Sequence, residues 1–76
     1  MKIRILGAGC RKCKALTENV ERAVKEYGIE AEVEKVTDLM EIMKAGVLST
    51  PALMVDGEIK SVGKLLSPKE IADLVK

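Results

Sequence analysis

Apolar and polar positions change rhythm several times along this chain, and each change marks an element. Lys2 to Gly7 (KIRILG) alternates and then runs apolar, as a partly buried strand does. From Arg11 to Tyr27 the apolar residues Cys13, Leu16, Val20, Ala23, Val24 and Tyr27 recur three or four apart, which is one face of a helix. Gly28 is its expected stop. Ile29, Ala31 and Val33 alternate with Glu30, Glu32 and Glu34, predicting a strand with one wet face. Asp38, three before Glu41, caps a short helix through Ala45, with Leu39, Ile42 and Met43 as its apolar side. Ala52 to Val55 (ALMV) is continuously apolar, as in a strand covered on both faces. Asp56-Gly57 signals a tight hairpin, and Glu58 to Val62 is the return strand. Ser67-Pro68-Lys69-Glu70 combines an N-cap Ser, Pro at the first helical position and Glu at the third. It opens a last helix with Ile71, Leu74 and Val75 inward.

The expected order is β-α-β-α-β-β-α, an α/β fold. The first two strands, joined by a helix, should be parallel with a right-handed crossover. The last two form an antiparallel hairpin. A four-stranded mixed sheet with helices on both faces follows, in one compact domain over residues 1–76.

Composition narrows the function. Seventy-six residues bury a thin core, and with no Phe or Trp and Tyr27 as the lone aromatic, that core must be aliphatic. Met40, Met43 and Met54 sit inside apolar patterns and are expected to fill it. Thirteen basic and 12 acidic residues are mixed along the chain for a net charge of +1, which excludes the basic stripe of a general nucleic-acid binder. No signal-peptide pattern and no membrane-length apolar run is present, so a soluble cytoplasmic protein is expected, with no membrane partner. In a reducing cytosol, closely spaced cysteines are more often redox or metal groups than a permanent staple.

Cys10-Arg11-Lys12-Cys13 is the one constellation equipped for covalent chemistry. It lies where the first strand gives way to the first helix, and a three-residue spacing there sets both sulfurs on one side. Their Cα atoms then fall within roughly the 4.4–6.8 Å that a disulfide spans. The helix N-terminus favours the Cys10 thiolate, and Arg11, Lys12 and Lys14 add positive charge that lowers its pKa. Cys13, one turn in, shares the buried stripe with Leu16 and stays protonated until needed. Cys10 is therefore the expected nucleophile and Cys13 the resolving thiol.

With these residues the chain resembles the thioredoxin-like superfamily, in particular its very small archaeal and bacterial redox-active disulfide proteins of thioredoxin/glutaredoxin type. The resemblance rests on G-A-G-C-R-K-C after the first strand, S-T-P-A-L before the hairpin, V-D-G-E-I at the hairpin, and Gly63 after the last strand. It implies a protein-disulfide oxidoreductase with no cofactor and no metal. It implies that Pro51 is a cis proline against the C-x-x-C, that Thr50 offers backbone groups to an extended substrate, and that substrate passes close to Gly63. The partners implied are protein disulfides and a reductase or thiol donor that the sequence does not identify. Nothing indicates a large dimer patch, so a monomer is expected. The chain departs from the family in having no Trp before Cys10, an Arg-Lys inner dipeptide, and no buried acid in Lys2 to Leu6 to shuttle the Cys13 proton.

Two rival readings use the same residues. A cytosolic metal-binding module or metallochaperone also places a Gly-rich C-x-x-C between a strand and a helix, but its order is β-α-β-β-α-β. Two cysteines and no histidine cannot close a four-ligand zinc site from one chain, which leaves two-coordinate Cu(I) or a site shared between chains. A redox-sensing adaptor would keep the fold and lack turnover.

Overall fold

The computed structural model describes residues 1–7, 9–47 and 49–75. Ala8, in the G-A-G-C-R-K-C stretch, lies outside them. The elements are β1 (Lys2–Leu6), α1 (Arg11–Glu26), β2 (Glu32–Val36), α2 (Leu39–Lys44), β3 (Ala52–Val55), β4 (Glu58–Val62) and α3 (Pro68–Val75). The sheet order is β2-β1-β3-β4. β1 runs parallel to β2 and antiparallel to β3, and β3 antiparallel to β4. This is the mixed α/β sheet that the pattern predicts, and α3 follows its last strand.

Pleat parity decides which side chains meet which helices. Ile3 and Ile5 of β1, with Leu53 and Val55 of β3, join Leu16, Val20 and Ala23 of α1 and Ile71 and Val75 of α3 in the larger core. The other face carries a smaller cluster of Leu6, Val36, Ile42, Val47 and Ala52. α1 and α3 therefore cover one face and α2 part of the other. On the open part, Glu34 binds Lys2 at 3.2 Å and Arg4 at 3.7 Å, so its wet face is an exposed charge ladder.

α1 stays helical because its buried residues, Cys13, Leu16, Thr17, Val20 and Ala23, recur at helical spacing. The Thr17 hydroxyl is satisfied by donating to the Cys13 carbonyl at 2.9 Å. Asn19 donates to the Leu66 carbonyl at 2.8 Å, tying α1 to the approach of α3. Asp56 and Gly57 both take positive φ, 49° and 85°, as a two-residue hairpin turn requires.

Four details differ from the pattern. β2 begins at Glu32 and extends to Val36, because its register is set by pairing Lys2 with Glu32 and Leu6 with Val36. Ile29 and Ala31 precede it and pack on the larger core. Tyr27 caps α1 and is exposed rather than buried on its apolar face. Leu74 is also exposed, and Ala72 takes the inward position beside Ile71 and Val75. The largest difference is α2. Leu39, Met40 and Met43 are 64%, 67% and 68% exposed, so Met40 and Met43 do not fill the core. A six-residue helix touches the sheet along a single line, and Ile42 and Ala45 occupy it. Met54 is partly buried against the same cluster.

The capping box of α3 is closed. The Glu70 N–H donates to Ser67 Oγ at 3.2 Å, and the Ser67 N–H donates to Glu70 Oε1 at 3.1 Å. Ser67→Ala is expected to cost about 1 kcal/mol. In a domain of this size that lowers Tm by roughly 4–8 °C, measurable by calorimetry. An unchanged Tm would mean that α3 is held by Ile71 and Val75 alone.

Candidate active site

The two cysteines are joined in a disulfide, with Cα atoms 5.0 Å apart. Their surroundings are unequal. Cys10 is the N-cap of α1, extended at φ −72° and ψ 166°, and its carbonyl accepts the Lys14 N–H at 3.0 Å. Its sulfur is the cap acceptor, receiving the Cys13 N–H at 3.2 Å. A side-chain acceptor at this place satisfies one of the unpaired donors of the first turn, and a charged sulfur would satisfy it better. Cys10 is exposed, whereas Cys13 is only 4% exposed. No acidic residue lies in the first turn of α1. Arg11, Lys12 and Lys14 are exposed around the helix start, so the charge beside Cys10 is positive on its own helix.

Pro51 is buried at the head of β3, and the Thr50–Pro51 peptide bond is cis. Its carbonyl accepts the Gly63 N–H at 2.7 Å. Thr50, Pro51 and Gly63 are thus one backbone cluster at the end of the sheet where β1 hands over to α1. Gly63 has φ 70°, and a Cβ there would stand 3.4 Å from the Ser49 Cβ. The substrate residues expected from sequence and the C-x-x-C share this rim.

The fit of Gly7 to Cys13 is not announced by the sequence, where Gly7 only ends the first strand pattern and opens the G-A-G-C-R-K-C stretch. A Cβ on Gly7 would fall on the Cys13 sulfur, 3.0 Å from the Cys13 Cβ and 3.8 Å from the Pro51 Cα. Gly7 is therefore the gap into which the buried cysteine fits, with Pro51 on the far side. Its N–H donates to the Val36 carbonyl at 3.0 Å, which continues the β1–β2 pairing to the site.

Cys13 also opens on a cavity of about 80 Å³, lined further by Ile5, Gly7, Gly9, Lys14, Thr17, Lys35 and Thr37. No carboxylate is among these described lining residues. Lys35 comes from β2 and Thr37 from just beyond its end. Lys35 continues the parity of Ala31 and Val33 onto the α1 face of the sheet, and its pairing with Ile5 sets its position along β1.

The profile of the thioredoxin domain family matches residues 1–76. A thioredoxin of Methanothermobacter thermautotrophicus is 45% identical over 75 residues, 99% of this chain and 97% of that protein. A thioredoxin of Methanocaldococcus jannaschii is 47% identical over 74 residues, 97% of this chain and 85% of that protein. The chain belongs to the thioredoxin family. It is a thiol–disulfide oxidoreductase, with the Cys10–Cys13 disulfide in the position that a thioredoxin fold gives its redox centre. No described helix of this thioredoxin-family chain is long and apolar enough to cross a membrane.

Proposed function

We propose that the chain, acting as one domain, reduces disulfides of other proteins, with Cys10 as the nucleophile and Cys13 as the resolving thiol. One observation carries the assignment. Of the two bonded cysteines, Cys10 caps a helix and is exposed, and Cys13 is buried one turn further on. The backbone donor at Cys10, the helix N-terminus and Arg11, Lys12 and Lys14 all favour a Cys10 thiolate in the reduced protein. That thiolate attacks a substrate disulfide, forms the mixed disulfide and expels the first substrate thiolate. Cys13, deprotonated, then attacks the Cys10 sulfur, closes the intramolecular disulfide and expels the second. Two electrons pass from the dithiol to the substrate. Thr50, Pro51 and Gly63 form the backbone rim against which an extended substrate segment lies. A reductase or thiol donor restores the dithiol, and the protein works as a monomer in the cytoplasm, without cofactor or metal.

The test is turnover of a protein disulfide with dithiothreitol as donor, beside a Cu(I) titration of the reduced protein. Catalytic turnover with weak Cu(I) binding is expected. Tight stoichiometric Cu(I) binding without turnover would replace this reading with the metal-binding one. A single stoichiometric oxidation without turnover would make the chain a redox-responsive adaptor.

A further inference from the structure

We infer that an extended, acidic segment of the substrate protein docks along the free edge of β4, in the groove between that strand and α3, and adds a strand to the sheet beside the redox centre. The inference rests on the substrate rim proposed above at Thr50, Pro51 and Gly63 and extends it away from the disulfide.

β4 is an outer strand, with β3 as its one neighbour in the sheet. Along its other edge, backbone N–H and C=O groups have no strand to pair them. The side chains beside that edge are apolar and exposed: Ile59 and Val62 from β4, and Leu74 from α3. With Leu66 they line a groove of about 340 Å³. Ser61 forms part of the same wall and is only 8% exposed. Its hydroxyl has no hydrogen-bond partner among the described residues. A buried hydroxyl left unpaired is costly, so the groove carries one unmet polar group as well as apolar surface.

Charge and continuity select the occupant. The charged groups of the groove are Lys60 and Lys64, and no carboxylate is among its described lining residues. Lys60 pairs with the exposed Glu58 at 3.1 Å, whereas Lys64 makes no ion pair among the described residues. Lys60 is also the residue left over where β4 bulges, since Ser61 faces Leu53 and Ile59 faces Met54. A bulge and a lysine both discourage indiscriminate pairing at a sheet edge. Acidic side chains answer these lysines, and basic ones are repelled. Continuity comes from Gly63, which follows β4 and donates to the Pro51 carbonyl in the rim. Lys64 comes next and already lines the groove. A substrate segment that crosses Gly63 therefore stands at the mouth of the groove. Strand addition binds through main-chain hydrogen bonds and takes its selectivity from alternate side chains. The segment that fits alternates apolar residues, for Ile59, Val62 and Leu74, with acidic ones, for the lysines.

The probes are short peptides whose single cysteine is held as a mixed disulfide with 2-nitro-5-thiobenzoate. The Cys10 thiolate of the reduced protein attacks the peptide sulfur, the bond to the aromatic sulfur breaks, and the coloured thiolate leaves with the electron pair. One peptide has no extension. The others carry an extension alternating valine with glutamate, valine with lysine, or glycine with serine, built on each side of the cysteine in turn. In one of the two directions the valine–glutamate peptide should react on the order of tenfold faster than the glycine–serine peptide, roughly the effect of burying one apolar side chain. Leu74→Ser should remove that preference and leave the rate with the unextended peptide unchanged. Lys64→Glu should transfer the preference to the valine–lysine peptide. Methylating alternate amide nitrogens of the extension should abolish the preference in one phase of the alternation and spare it in the other, because only one edge of the segment faces β4. A parent that does not distinguish the extended peptides overturns the inference, as does a Leu74→Ser protein that keeps the full preference. Equal effects of methylation in both phases overturn the strand pairing. A dimer in sedimentation that Leu74→Ser dissolves would assign the edge to a second copy of the chain instead. If the unextended peptide is not attacked, or if Cys10→Ser attacks it, the fault lies in the role given to Cys10 and not in the groove.

Discussion

Cys10→Ser should lose all disulfide reduction, and Cys13→Ser should stop after one event with substrate covalently attached through Cys10. The first loss follows from the thiolate being the nucleophile in exchange, a part that a serine hydroxyl cannot take at neutral pH. The second follows from geometry. Cys13 is the one sulfur within bonding reach of Cys10, so without it nothing in the chain displaces the mixed disulfide. Intact mass before and after dithiothreitol shows the adduct directly. Alkylation of the reduced protein supplies the quantitative arm. An ordinary thiol with pKa about 8.5 is only about 3% ionised at pH 7, whereas one lowered to about 7 is half ionised. Cys10, with its pKa lowered by the helix start and its cationic neighbours, should therefore react faster at pH 7 than an unperturbed thiol, with an upper bound of roughly 30-fold from thiolate fraction alone. Burial holds Cys13 further back, since the reagent must also reach it. If Cys13 is modified first, or Cys13→Ser turns over at the parent rate, the roles of the two sulfurs are reversed.

The proposal for those roles starts in the sequence because it depends on local chemistry. A C-x-x-C at a strand-to-helix change fixes a helix start, a spacing and the neighbouring charges. The caps of α2 and α3, the hairpin at Asp56-Gly57 and the element order are local in the same sense, and each stands where the residues put it. What could not be read depends on which partner a face meets. The stripe Leu39, Ile42 and Met43 has helical spacing, yet α2 is too short to bury more than Ile42, and its methionines face outward. β2 slid two to three residues beyond its alternating stretch because pairing with β1 decides its register. That pairing also sets Lys35 beside Ile5, among the residues that line the cavity at Cys13.

Gly7→Ala should impair the redox centre more than any other single-methyl change at the rim. The reason is space. Gly7 is not among the residues with positive φ, so its backbone conformation is open to alanine. The added Cβ falls on the Cys13 sulfur, and the atoms behind that sulfur cannot retreat cheaply. The Cys13 Cβ is fixed by α1, the sulfur is tied to Cys10, and the Pro51 backbone closes the other side. Either α1 moves off the sheet or the Cys13 side chain turns away from Cys10. Overpacking of this kind costs about 1–3 kcal/mol. Turning Cys13 away relieves the contact only where the disulfide is open, so the cost falls more heavily on the oxidised form. The disulfide then becomes the easier state to reduce. If the whole cost falls there, the potential rises by roughly 20–65 mV, at about 30 mV per 1.4 kcal/mol for a two-electron couple. Equilibration with dithiothreitol or glutathione measures it. Gly9→Ala is the control. Gly9 has φ 83°, and a methyl added there would meet no described atom within 4 Å, so its cost is conformational and is shared by both redox forms. A Gly7→Ala protein with the parent potential and turnover would mean that α1 is free to shift, and that the fit between Gly7, Cys13 and Pro51 does not hold the disulfide in place.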